Sequence, residues 1–224
     1  MKITKICLIT LQVVIAVGNV FSQNIYVGIR TGASYFKIHN EEFGEDGKYT
    51  LGTDIAIAME SAFSPVFSIQ TELHFTQKGV QFEDDVEIKG HILAVKTNYL
   101  ELPVMLKAQV GSEKFKCYAF VAPSPAFATN RFTIEKSDVE ERVKEDVEFI
   151  DTDEAKSQRW EFNAIGGLGA SMKAGVGSLV MDIRYSLGLS DNTKFKIDKP
   201  DDWTKSTNRG CTISLGYMIP LGRK

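Results

Sequence analysis

From residue 25 onward, apolar residues alternate with small, polar or charged ones at a period of two, in runs of about nine to thirteen residues. Successive side chains of a strand point to opposite faces, so each run sorts into two faces of different chemistry. In "NYLELPVMLKA" (98–108), Leu100, Leu102, Val104 and Leu106 share one face, while Tyr99, Glu101, Pro103, Met105 and Lys107 share the other. The same sorting sets Ile25, Val27 and Ile29 against Arg30, and Ile55, Ile57 and Met59 against Asp54 and Glu60. It also sets Leu73 and Phe75 against Glu72, His74 and Lys78, and Met181, Ile183 and Tyr185 against Asp182 and Arg184. Eight such runs follow one another. Strands of ordinary sheets are shorter, commonly about five or six residues. A tilted strand crossing a bilayer needs about nine to eleven, and about eight strands is the smallest usual outer-membrane barrel.

The connections carry a second, independent pattern. "AFSPV", "VGSEK" and "KAGVG" are short, and they alternate with "FKIHNEEFGEDGKY", "VQFEDDVEIKGHILAVKT", residues 131–158 and "SDNTKFKIDKPDDWTKST". Outer-membrane barrels have short periplasmic turns and longer outer loops. This order predicts periplasmic chain ends and extracellular long loops. The N-terminus, "MKITKICLITLQVVIAVGNVFSQ", has Lys2 and Lys5 ahead of an apolar run that ends before small residues. That is the layout of a secretory signal and is short for a spanning helix. The expected division is a signal peptide at 1–22 and an outer-membrane barrel domain at 23–224. Cys7 precedes any cleavage region, which argues against a lipid-anchored cysteine. The net charge of -3 and the absence of basic-aromatic interleaving argue against nucleic acid. The fold expected is all-β, an eight-stranded antiparallel up-and-down transmembrane β-barrel.

The strand motifs resemble the outer-membrane β-barrel family of Bacteroidetes-type bacteria that includes PorT-like proteins. The resemblance is carried by "VGIRTGASY" (27–35), "ELHFTQKG" (72–79) and "NYLELPVMLK" (98–107), with weaker pieces in "YAFVAPSPAF", "FNAIGGLGASM", "LVMDIRYSLGLSD" and "TISLGYMIPL". It spans nearly all of residues 24–221 and implies an outer-membrane barrel; a role in secretion belongs to the PorT type. Ala122 stands where family members often have glycine, and the chain ends "IPLGRK" where outer-membrane barrels often end on an aromatic residue.

The candidate site is the charged face. Arg30, Asp54, Glu60, Glu72, Lys78, Glu101, Lys107, Asp182 and Arg184, together with Lys116 and Glu161 of the same parity, are nearly balanced in sign. A balanced set can neutralise itself in a lumen just wide enough for side chains, so a plugged interior is expected. The expected role is structural, adhesive or assembly- and secretion-associated, without enzymatic activity, cofactor or metal. The partners expected are outer-membrane lipid and lipopolysaccharide, the barrel-assembly machinery, and an outer-membrane or periplasmic protein. Two alternatives stand beside it. A lipid-modifying enzyme would use His74 with Glu72, Thr76 or Ser68; a soluble barrel binding an apolar ligand would need the aliphatic face inside. The loop at 133–158 holds ten acidic and four basic residues, and Val139, Val143 and Val147 recur at the spacing of a short helix face. Pro103 predicts a bulge or break, Pro123 and Pro125 predict weakened pairing, and Cys117 and Cys211 are expected as free thiols on non-neighbouring strands.

Overall fold

The computed structural model describes residues 24–40, 47–84, 91–136, 143–152, 155–195 and 204–221. The segment read as a signal peptide lies outside the described residues, as do 137–142 and 153–154 of the acidic loop. The strands are β1 (Asn24–His39), β2 (Thr50–Ala62), β3 (Phe67–Asp84), β4 (His91–Glu101), β5 (Val104–Gly111), β6 (Phe115–Lys136), β7 (Val143–Val147), β8 (Ala155–Ser157), β9 (Trp160–Ala174), β10 (Gly177–Gly188), β11 (Thr193–Phe195) and β12 (Thr207–Pro220). β4 and β5 together form one stave. With β1, β2, β3, β6, β9, β10 and β12 this makes eight antiparallel staves, ordered β2-β1-β12-β10-β9-β6-β4/β5-β3, and β3 pairs back onto β2. The sheet therefore closes on itself as an eight-stranded up-and-down barrel.

The stave made by β4 and β5 explains the run that holds Pro103. The ladder with β3 is interrupted at Leu102 and Pro103, that with β6 from Leu102 to Met105, and the register resumes unshifted on both sides. His74 faces Glu101 and Thr71 faces Val104 on β3; Ala126 faces Glu101 and Val121 faces Leu106 on β6. The register shift on this stave lies elsewhere, between Asn98 and Tyr99. Pro123 and Pro125 weaken the pairing of β6 on one side only: its ladder with β4/β5 has a gap from Ala122 to Pro125, while toward β9 they pair with Ala164 and Phe162 in an unbroken ladder. The reason is directional. The Pro125 carbonyl accepts from the Leu102 amide (2.9 Å), so its backbone groups face the β4/β5 side, and those of Pro123, two residues away, face the same way. The two missing N–H groups thus fall on the seam where β4 and β5 leave the ladder, and the pairing with β9 loses none.

Three other sequence readings change. The loop predicted after β3 is largely strand, because β3 runs to Asp84 and β4 begins at His91. Val143 and Val147 bound β7, which pairs with Arg131–Glu135 of β6, so the four-residue spacing there marks a hairpin and not a helix. Lys116 is only half-buried, at the short-turn end of β6.

Face assignment is unambiguous. Ile29 and Leu168 are 69% and 64% exposed, whereas Arg30 and Glu72 are 2% and 1% exposed. The aliphatic face is outside and the charged face inside, the inverse of a soluble barrel with an apolar ligand cavity. Around the outside, Ile29, Ile55, Ile57, Val121, Leu168, Ile183 and Ile213 form the middle band. Aromatic residues stand at both ends: Tyr35, Tyr49, Trp160 and Tyr185 toward the long loops, and Phe63, Phe67 and Phe115 toward the short turns. An apolar belt between aromatic girdles is the signature of a lipid-embedded barrel. Among the described residues no helix is long and apolar enough to cross a membrane; the crossing elements are strands. Leu168→Arg places a charge near the middle of this belt. It is expected to lower stability by about 2–4 kcal/mol, read as a shift in the denaturant midpoint of the barrel refolded in lipid vesicles.

Candidate functional site

The interior is filled by three successive groups of polar side chains, the first two joined by a hydrogen bond. Toward the short turns, the Lys107 ammonium donates to Glu60 Oε2 and Gln70 Oε1, both at 2.7 Å, and lies 4.3 Å from the centre of the Tyr118 ring. Ser68 donates its hydroxyl to Glu60 Oε1 (2.7 Å), and Gln70 donates to Glu72, joining this group to the next.

The central group contains two guanidinium groups and three carboxylates. Arg184 donates to Glu72 Oε2 (2.8 Å) and, with Nη2, to Asp182 Oδ1 (3.0 Å). Arg30 pairs with Asp182, lies 3.5 Å from Glu72 and donates to Ser214 Oγ (2.7 Å). Tyr118 and Ser214 donate their hydroxyls to Asp182 at 3.1 and 2.9 Å. His74 presents Nδ1 to Asp54 at 2.9 Å and Nε2 to Glu72, and Thr76 also bonds Asp54.

Toward the long loops, Lys78 lies between Glu161 (2.8 Å) and Glu101 (3.3 Å), with the rings of Tyr99 and Phe36 at 5.0 and 5.3 Å. Glu101 also accepts from Ser124 (2.7 Å) and Asn163 (3.0 Å), and Asn208 donates to Glu161. Each ammonium and guanidinium here therefore has both a counter-charge and neutral partners, the condition under which charges tolerate burial.

The aromatic rings that close the remaining space are seated by glycines. A Cβ on Gly167 would lie 2.4 Å from the Phe120 ring, and one on Gly169 would lie 2.4 Å from the Tyr118 ring. Met105, Tyr118, Phe120, Ala122 and Ile165 pack together as one apolar layer. Alternation along β6 puts Tyr118 and Phe120 on the polar face and the glycines of "GGLG" relieve crowding there, but that Gly169 faces Tyr118 and Gly167 faces Phe120 follows only from the register of β6 with β9. A void of about 20 Å³, bounded by Asp54, His74, Arg184 and Ser186 among others, is water-sized. Asp54 Oδ1 and Ser186 Oγ, which line it, have no protein hydrogen-bond partner.

The arrangement does not assemble a catalytic set. The Ser68 hydroxyl is engaged by Glu60, one group away from His74, and both His74 nitrogens face carboxylates. A histidine acting as base needs one nitrogen within reach of its nucleophile. Among the described residues no cluster of three or more His, Cys, Asp or Glu is arranged to hold a metal ion. Cys117 and Cys211 are both free, on β6 and β12, which are not neighbours in the ring.

Comparison with known proteins agrees with this geometry. Residues 21–194 match the family model described as outer membrane protein beta-barrel domain, and the chain belongs to that family. No match is found among the curated proteins. Among solved structures the chain is similar to the outer membrane protein OprG from Pseudomonas aeruginosa, at 12% identity over 90% of this chain and 97% of that one, with a TM-score of 0.51. It is also similar to Neisserial surface protein A, at 12% identity over 87% and 96% with a TM-score of 0.45. A third similarity is to the outer membrane protease OmpT from Escherichia coli, at 11% over 89% and 97% with a TM-score of 0.47. At 12% identity the likeness to OprG is one of fold alone.

Removing one member of the central group strands the others. Glu72→Ala leaves Arg184 and Arg30 to share Asp182 alone and is expected to destabilise the barrel by about 3–5 kcal/mol. In a double-mutant cycle with Arg184→Met, the second substitution should cost much less than it does alone, measured by denaturant unfolding in lipid vesicles.

Proposed function

We propose that this member of the outer-membrane β-barrel family is a non-conducting, non-enzymatic integral protein of the outer membrane. Its barrel serves as a rigid support, and its long loops act in an adhesive, structural or assembly- and secretion-associated role. The chain ends lie in the periplasm and the long loops outside. The observation that carries the reading is the filled lumen: Lys78, Glu72 and Met105 are among its largest fully buried side chains, and each charge is met inside. Such an interior offers no path for ions and no exposed nucleophile, which leaves the loops as the surface that meets partners. The loops carry structure of their own. β7 extends the β6 edge, β8 pairs with β11 between two different loops, and Phe149 packs against Tyr99, Ala126 and Ala128 beneath the Arg131 and Arg159 guanidinium groups. The resemblance to PorT-like proteins supports the secretion-associated variant of this reading, and the acidic loop at 133–158 supports contact with cationic or cation-bridged partners.

Planar-bilayer recording of the refolded protein tests the closed lumen. The expected outcome is no steady single-channel conductance; a reproducible conductance step would overturn the reading. For the enzymatic question, lipid A and phospholipid profiles with and without the gene should be indistinguishable. A modification lost with the gene and restored by wild type but not by His74→Ala would sink the non-enzymatic assignment.

A further inference from the structure

On the outer surface at the long-loop end, the register brings two cations face to face. Lys37 of β1 and Arg209 of β12 are direct cross-strand partners, and both have the outward parity of Tyr35 and Cys211. Their row continues to Leu187 on β10 and, by extension of the Phe36–Thr50 register, to Tyr49 before β2; the Lys37 ammonium lies 5.2 Å from the centre of the Tyr49 ring. One row toward the membrane middle come Leu51, Tyr35, Cys211 and Tyr185, and the next holds Thr53, Ala33, Ile213 and Ile183. No carboxylate occupies these three rows. Lys37 and Arg209 make no ion pair with any described residue, and Arg209 Nε is shielded without a hydrogen-bond partner.

Like charges directly opposite one another destabilise a ladder. A counter-charge supplied from outside the chain would reverse that sign. Depth identifies its source. The cations stand one step beyond the Tyr35 and Tyr185 girdle, where hydrocarbon gives way to headgroups. Below them, the aliphatic rows offer a track for acyl chains.

We propose that Lys37 and Arg209 form a binding site for the phosphate of a lipid headgroup in the leaflet on the long-loop side. Under the orientation given above, the ligand is a phosphorylated glycolipid of the outer leaflet. The acyl chains lie along Tyr35, Ala33 and Ile213, and the phosphate bridges the two side chains and accepts from the Arg209 guanidinium. This rests on the barrel being embedded in lipid, and on nothing about its lumen or partners.

The test uses the full barrel refolded in mixed micelles and read by native mass spectrometry. The probes are a lipid A-type bis-phosphorylated glycolipid, the same glycolipid dephosphorylated, and inorganic phosphate as competitor. Wild type should retain the phosphorylated lipid about tenfold better than the dephosphorylated one. Lys37→Gln/Arg209→Gln should lose that preference, while Lys194→Gln, at an exposed cation elsewhere, should keep it. Equal retention of the two lipids by wild type would overturn the proposal, as would a preference that survives the double substitution. Displacement by inorganic phosphate alone would overturn it in favour of a free-anion site. The wild-type comparison needs no variant, and heat-modifiable gel mobility shows that each variant is folded. A protein that fails to give the heat-modifiable form in any lipid refutes the membrane reading; a folded barrel without lipid preference refutes only this site.

Discussion

Hydrocarbon supplies no hydrogen bonds, so every backbone N–H and C=O within it must find a partner in the chain. The pairing of β3 with β2 meets that requirement by abolishing the sheet edge. The rest follows from closure. Once eight staves form a ring, each residue has an inside or an outside, and period two becomes a rule about solvent. Even the three prolines around the junction of β4 and β5 obey it. Pro123 and Pro125 lack their donors on the side of β4/β5, and Pro103, whose carbonyl accepts from the Glu72 amide, lacks its donor on the side of β3, so the three losses meet where β4 gives way to β5 and none falls on the ladder between β6 and β9.

A ring of this size leaves a lumen that side chains can fill. What fills it must be large, polar enough to suit the charged face, and self-neutralising. Arg184, Arg30, Glu72 and Asp182 satisfy the electrostatic condition; Tyr118 and Phe120 satisfy the volume, with Gly167 and Gly169 clearing space for their rings. The glycines and the aromatic residues are two halves of one fit, which explains why a strand rich in glycine persists in a regular ladder from Trp160 to Ala174.

Strand number, strand direction and the two chemical faces were legible because alternation is local and extends across each run. Loop alternation was legible for the same reason. Pairing was not. Glu101 could be matched to several cations on parity alone, and only the ring order brings Lys78 to it while Arg184 goes to Glu72. Strand ends were misjudged where a hairpin continues past the apolar belt, as at Asp84, His91 and Val143. There the outward face turns polar and the contrast that marks a strand disappears. The cross-strand meeting of Lys37 and Arg209 was invisible for a further reason: 172 positions separate them, and only the closing register between the first and last strands places one opposite the other.

The interior ion pairs have a consequence for how the chain reaches this state. Arg30 meets Asp182 across 152 positions, Arg184 meets Glu72 across 112, and Lys78 meets Glu161 across 83. No hairpin of consecutive staves contains both members of any of these pairs. A partly built sheet entering lipid would carry bare charges on its concave side, at a cost that rises with each strand inserted. Lys78 finds Glu101, and Arg184 finds Asp182, within neighbouring staves or one strand, but the full neutralisation of Arg30, Glu72 and Glu161 arrives only when the late strands meet the early ones, so insertion and closure are energetically coupled. The wiring of the lumen thus makes the barrel cooperative: it sets a threshold below which no fragment is content in the bilayer and above which the whole is locked.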